Sequence, residues 1–69
     1  MSKGDKDLTQ RERETLHWIA EGYNKKEVEQ KLGTSRSGLA RILTAIRRKF
    51  GARTTHDAVI KAYEDDTIW

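Results

Sequence analysis

The residues best suited to chemistry in this chain are arginines and lysines, and they are concentrated in one part of it. Residues 31–53 contain seven basic residues and no acidic residue, a charge of +7. The rest of the chain holds seven basic against eleven acidic residues, a charge of −4. Such a basic block is typical of a chain that binds a polyanion, because lysine and arginine neutralise phosphates and release their counterions. A solvated basic face without a partner is the alternative.

The apolar residues of the basic block recur with the period of an α-helix. They are Leu39, Ile42, Leu43, Ile46 and Phe50. Ser35 is suited to cap the start of this helix and Gly51 to end it, so the pattern predicts an amphipathic helix over about 36–50. On a wheel of about 100° per residue, the side that faces away from the apolar stripe carries Ser37, Arg41, Thr44 and Arg48. Arg36 and Arg47 flank this exposed stripe.

The exposed stripe has the length and the residue types needed to read a DNA duplex. It spans about 16 Å of helix, comparable with what a recognition helix lays along the major groove. The planar fork of arginine donates two hydrogen bonds to guanine O6 and N7 or to a phosphate, which a lysine ammonium cannot copy. We expect Arg36 and Arg47 to meet phosphates where the groove walls rise.

Capping boxes ahead of this helix predict two more helices. The boxes that open at Thr9 and Asn24 begin helices over about 10–21 and 25–32. Two or three residues separate the second helix from the third, which predicts a tight helix-turn-helix.

Two lysines open the second of these helices. Lys25 and Lys26 stand beside free backbone N–H groups at a positive helix end, which predicts a phosphate clamp; two solvated charges without a partner are the alternative. In a helix-turn-helix the first helix of the pair crosses the DNA backbone while the second enters the groove, so the lysines and the exposed arginines fit these two roles.

A capping pattern at Thr54 opens a fourth helix over about 55–66. Its expected buried face consists of Ala58, Val59, Ala62 and Tyr63. Residues 1–7 lack periodicity and are expected to be a flexible tail, so the prediction is one domain over residues 8–69.

Composition argues against several other classes of protein. The chain has no cysteine, and His17 and His56 have no ligand-spaced partners, so we expect no metal, no cofactor and no catalytic residue. With 35% apolar residues and a mean hydropathy of −0.91, no membrane span or signal peptide is predicted, and the expected location is the cytoplasm. A 69-residue domain has too little interior for a small-molecule ligand.

Four segments together resemble a known family. They are Leu8-Thr9-x-Arg11-Glu12-x-Glu14-x-Leu16-x-x-Ile19-Ala20-x-Gly22, Asn24-Lys25-Lys26-Glu27-Val28, Leu32-Gly33-x-Ser35 and Ile46-Arg47-Arg48-Lys49-Phe50-Gly51. Over about residues 8–63 the chain is similar to the LuxR/GerE-type DNA-binding domain of bacterial transcription regulators. Most members carry a signal-receiving domain ahead of this one, and this chain resembles a stand-alone module.

The resemblance implies an all-α, four-helix (tetrahelical) helix-turn-helix fold whose third helix reads the major groove of double-stranded DNA. It also implies a homodimer formed through the fourth helix, for which Ile60 and Tyr63 are the expected contacts. Together with the exposed stripe, it gives a predicted DNA-binding set of Lys25, Lys26, Ser35, Arg36, Ser37, Arg41, Thr44, Arg47 and Arg48. The expected function is transcription regulation in a bacterium, at the nucleoid when bound.

The chain departs from the family pattern at the start of the third helix and after it. The family commonly shows Thr-Val-Lys early in this helix, where this chain has Gly38-Leu39-Ala40. Thr55 stands where the family usually places an arginine. Two alternatives follow: Arg41 and Arg48 replace the lost charge and shift sequence preference, or the surface serves protein binding instead.

The second alternative describes an interaction protein that pairs with a full-length LuxR-type regulator and blocks it. Its basis is the missing signal domain, the lost cations and apolar residues toward the carboxyl end, which are Ile60, Tyr63, Ile68 and Trp69.

Overall fold

Local capping interactions set the start of each helix in the computed structural model, which describes residues 8–64. The helices are α1 (Gln10–Ala20), α2 (Lys25–Leu32), α3 (Arg36–Phe50) and α4 (Thr55–Glu64). No strand occurs within residues 8–64, and the predicted all-α, four-helix fold is confirmed. The predicted tail at 1–7 and the predicted end of the fourth helix at 65–66 lie outside the described residues, as do Ile68 and Trp69.

The predicted caps are present as hydrogen bonds. Thr9 Oγ1 accepts from the amide of Glu12 at 3.0 Å, and the Glu12 carboxylate accepts from the amide of Thr9 at 3.0 Å. Asn24 and Glu27 form the same reciprocal pair at the start of α2. The hydroxyl of Thr54 accepts from the fourth helix at Asp57, at 3.0 Å. These short-range bonds satisfy backbone groups that a helix leaves open at its start.

A three-residue turn joins α2 to α3. Gly33 ends α2 at a φ of +67°, a left-handed conformation that costs little only for glycine. Arg11 of α1 donates from Nη1 to the carbonyl of Leu32 at 2.7 Å, which places a positive charge at the negative end of α2. The end of α2 is therefore stabilised both by its glycine cap and by a side chain from α1.

The core lies around α3, which contacts each of the other three helices. Its buried residues are Leu8, Leu16, Val28, Leu39, Leu43, Ile46, Phe50, Ala58, Val59 and Ala62. Because the inner face of α3 is enclosed in this way, the opposite face of the same helix is left at the surface. No helix within residues 8–64 is long and apolar enough to cross a membrane.

The prediction that Tyr63 belongs to the buried face of α4 is wrong. Its side chain is 49% exposed, whereas Ala58 and Ala62 are fully buried. On the wheel, Tyr63 lies about 100° from Ala62, at the border of the buried face. The two alanines permit close approach to the core, and the large tyrosine ring stays outside it.

Candidate nucleic-acid interface

The outward face of α3 presents the predicted stripe to solvent. Ser37, Arg41 and Arg48 are exposed and Thr44 is half-buried. Within residues 8–64, Arg41 and Arg48 form no hydrogen bond and no ion pair with the rest of the chain. Both guanidinium groups are therefore available to a ligand with all of their donors.

A groove of about 470 Å³ runs between α2 and the first half of α3. It brings together three cations from the two helices, Lys25, Lys26 and Arg36, above a floor that includes Leu39 and Leu43. All three cations are exposed and unpaired among the described residues. The amides of Lys25 and Lys26 belong to the open first turn of α2, so the groove combines side-chain charge with unpaired N–H donors.

One acidic residue lines the same groove. Glu29 of α2 is half-buried beside the cations, and sequence reasoning did not single it out. The helical period does place it one turn after Lys25 and Lys26. A carboxylate here accepts hydrogen bonds but repels phosphate, so it restricts where along the groove a phosphate can sit.

Two hydroxyls of the predicted set already have partners inside the chain. Ser35 Oγ accepts from the amide of Gly38 at 3.1 Å as the cap of α3, and it retains its own hydrogen for donation. Thr44 Oγ1 donates to the carbonyl of Ala40 at 2.9 Å and accepts from Arg47 at 3.3 Å. Ser35 can therefore still donate a hydrogen bond to a phosphate, whereas the hydroxyl hydrogen of Thr44 is already donated to Ala40.

Arg47 differs from its neighbour Arg48 in having internal partners. It is half-buried and donates to Thr44 at 3.3 Å and to Thr55 of α4 at 3.5 Å. Thr55 is the residue that replaces an arginine usual in the family, and here its hydroxyl accepts from an arginine of α3 instead. Arg47 thus links Thr44 of α3 to Thr55 in the first turn of α4.

Two other cations of the basic block, Lys31 and Lys49, have partners elsewhere in the chain. The ammonium of Lys31 lies 4.8 Å from the ring centre of Trp18 and 4.7 Å from that of Tyr23. Lys49 Nζ lies 2.6 Å from Oε1 of Glu12 in α1. The charge of the block, which sequence reasoning treated as one feature, is therefore divided between an unpaired face and internal contacts.

The ion pair with Lys49 changes the titration of Glu12. Partial burial by itself raises the pKa of this carboxyl, but the hydrogen bonds from Lys49 and Thr9 and the charge of Lys49 outweigh burial. The pKa of Glu12 is lowered from its ordinary value of 4.5 as a result.

Glycine at the start of α3 has a packing reason. A Cβ atom built on Gly38 would collide with Oγ1 of Thr34, which folds over this position from the preceding turn. The departure from the family pattern at Gly38 is thus matched by a neighbouring side chain that occupies the space.

Part of α4 also lies at the surface. Ile60 is 42% exposed and Tyr63 is 49% exposed, and both project from the same side of the helix. This apolar surface is separate from the cations of α2 and the outward face of α3.

Comparison with known proteins identifies a family. The model of the GerE family, described as bacterial regulatory proteins of the luxR family, matches residues 6–62. No curated protein and no solved structure matches the chain significantly. The matched segment contains α1, α2 and α3 in full, and with them the unpaired cations Lys25, Lys26, Arg36, Arg41 and Arg48.

Proposed function

Because the chain belongs to the luxR family of bacterial regulatory proteins, we propose that it binds double-stranded DNA sequence-specifically, as a homodimer, and so regulates transcription. The family is one of DNA-binding regulatory domains and not of enzymes. Such a role is exercised in the bacterial cytoplasm, at the nucleoid when the protein is bound.

The observation that carries the proposal is the pair of unpaired arginines on the outward face of α3. Arg41 and Arg48 are two helical turns apart, about 10.5 Å along the axis, so they reach different base pairs of one major groove. Each guanidinium can donate two parallel hydrogen bonds to O6 and N7 of a guanine. The chain supplies no acceptor for either group within residues 8–64.

The groove between α2 and α3 supplies the second part of the mechanism. Its three cations contact the DNA phosphates beside the major groove that α3 enters; they are Lys25, Lys26 and Arg36. These contacts set how deeply α3 enters the major groove and at which base pairs, without reading the sequence. Ser35 adds a hydroxyl donor at the start of α3, and Ser37 adds one on its outward face. The charge of Arg47 can attract a phosphate while its N–H groups donate hydrogen bonds to Thr44 and Thr55.

Replacing one base-reading arginine tests the proposal. A half-site is first selected from random duplexes at physiological salt, and binding is then measured by fluorescence anisotropy on the selected and a scrambled duplex. We expect Arg41→Ala to cost about 1–3 kcal/mol on the selected duplex and to relax the preference at one base pair.

Two control variants separate base reading from charge. Lys25→Ala should weaken the selected and scrambled duplexes by the same factor, because a phosphate contact carries no sequence information. Lys31→Ala removes a charge from the basic block of residues 31–53, but Lys31 lies over Trp18 and Tyr23 and not on the outward face of α3. This variant should leave the affinities for both duplexes unchanged. Equal losses on both duplexes for Arg41→Ala would remove the base-reading role.

The exposed side of α4 supports the dimer and also favours the second candidate, pairing with a full-length relative. Ile60 and Tyr63 offer apolar area that a second copy or a related regulator could cover. We expect the double variant Ile60→Ser/Tyr63→Ser to raise the dissociation constant of the dimer at least about tenfold in sedimentation equilibrium.

The two candidates differ in what happens to DNA. A homodimeric regulator protects a palindrome with two copies of this chain, and the α4 variant still binds an isolated half-site through α3. A blocking partner instead forms a mixed complex with a related regulator and releases that regulator from its duplex. Wild-type protein that stays monomeric on a palindrome would contradict the dimer.

A further inference from the structure

The outward face of α3 contains a shallow depression between its two unpaired arginines. It has a volume of about 290 Å³ and is lined by Ala40, Arg41, Thr44, Ala45 and Arg48. Ala40 and Ala45 are small residues to which the sequence pattern assigns no role, yet they line this depression. Thr44 and Ala45 lie between Arg41 and Arg48 along the helix, and Ala40 lies one residue before Arg41.

The three residues that line the depression with the arginines each carry a methyl group. Ala40 and Ala45 contribute their Cβ atoms, and Thr44 has already given its hydroxyl hydrogen to the carbonyl of Ala40. Its oxygen also accepts from Arg47, so the part of Thr44 without a polar partner is the Cγ2 methyl. A polar base edge that lies against these methyl groups would lose its hydrogen bonds to water and gain no hydrogen bond from them.

The floor of the major groove offers one apolar group, the C5-methyl of thymine. We propose that α3 reads a thymine through Ala40, Thr44 and Ala45, between two guanine-bearing base pairs that receive Arg41 and Arg48. The span of about 10.5 Å between the arginines corresponds to about three base-pair steps of 3.4 Å, which leaves about two intervening pairs. This specificity rests on the proposed function.

The test removes only the methyl group from the DNA. In a duplex that carries the selected half-site, each thymine is replaced in turn by uracil, which pairs identically and lacks the C5-methyl. At the thymine between the two guanine contacts we expect about a fourfold loss of affinity by anisotropy, the value of one buried methyl-sized group. At thymines elsewhere in the duplex the same replacement should have no effect.

Two variants of Thr44 divide its methyl from its hydroxyl. Thr44→Ser keeps the hydroxyl and its hydrogen bonds but loses Cγ2. The ratio of the affinities for the thymine and uracil duplexes should therefore fall from about fourfold to about twofold or less. Thr44→Val keeps the methyl and loses the hydroxyl, so the preference should persist. Thermal unfolding of both variants checks that they are folded, and the ratio of the two affinities cancels any general loss of binding.

The outcomes separate this inference from the function on which it rests. A selected half-site without a central thymine, uracil that is silent at every position, or an unchanged preference in Thr44→Ser would overturn the thymine assignment and leave sequence-specific binding intact. Absence of any preference among duplexes would overturn both. A preference for thymine that Thr44→Ser weakens and Thr44→Val retains is the result that supports it.

Discussion

The two sides of α3 use the same kind of residue for opposite purposes. On the outward side, Arg41 and Arg48 have no partner within residues 8–64. On the inward flank, Lys49 is 30% exposed and pairs with Glu12, whose side chain is only 8% exposed. One set of charges is satisfied by the fold, and the other is left for a ligand.

This difference separates stability from binding within one short helix. A cation held by a buried carboxylate contributes to the folded state, because its removal leaves a charge without compensation. A solvated, unpaired arginine contributes little to folding, since water replaces any contact it loses. Substitutions on the two sides should therefore affect different measurements, and each of the following predictions tests that separation.

The largest expected effect is the response of duplex binding to salt. Lys25, Lys26 and Arg36 in each protomer of the proposed dimer give about six phosphate contacts, so the logarithmic salt slope should be about −5. Between about 50 and 200 mM salt the affinity should fall about a thousandfold.

The salt slope also reports which cations belong to the face. Lys25→Ala should make the slope less negative by about 0.9 for each contact that is lost. Lys49→Ala should lower the free energy of unfolding and leave the slope of the remaining folded protein unchanged. A salt slope that changes in Lys49→Ala and not in Lys25→Ala would contradict the assignment of Lys25 to the phosphate contacts and of Lys49 to folding.

The next effect in size concerns the paired side. Glu12→Gln keeps an oxygen that can accept from the Thr9 amide but loses the ion pair with Lys49. We expect the free energy of unfolding to fall by about 2 kcal/mol at about pH 7, less than for a fully buried pair because Lys49 is partly solvated. Urea denaturation followed by circular dichroism measures the change, and duplex affinity of the folded variant should not change.

The same pair predicts a dependence on acid. Because the pKa of Glu12 is lowered on folding, its contribution is present above the unfolded value and is lost as pH falls through the folded value. The wild type should lose this contribution below about pH 4.5, while Glu12→Gln cannot. The stability difference between the two proteins should shrink toward acid pH, and a difference that grows there would contradict the ion pair.

The sequence predicts this fold well because the signals for its helices are local. Thr9 with Glu12 and Asn24 with Glu27 are three residues apart, and each box forms as expected. Helix α1 ends one residue before its predicted end, with Glu21 as its C-cap. The amphipathic period of α3 likewise follows from residues of the same helix.

The partners of the basic residues are less predictable because they come from distant parts of the chain. Glu12 and Lys49 are 37 residues apart, and no local pattern shows that Lys49 pairs with Glu12. The same is true of Arg47, whose contact with Thr55 depends on how α4 returns to α3. Periodicity placed Arg41 and Arg48 on the outward face, but only packing shows which cations of the block are left unpaired.

The smallest expected effect concerns Lys31, which belongs to the basic block by sequence and to the paired group by structure. Its ammonium lies over two aromatic rings, an arrangement worth about 0.5–1 kcal/mol at an exposed site. Lys31→Met keeps much of the aliphatic stem and removes the charge, so the free energy of unfolding should fall by about this amount.

Duplex affinity and the salt slope should be those of the wild type in Lys31→Met. Unchanged stability with weakened duplex binding would place Lys31 with Lys25 and Lys26 among the cations that contact DNA. If instead stability falls and binding does not, internal partners rather than position in the basic block decide which cations meet DNA.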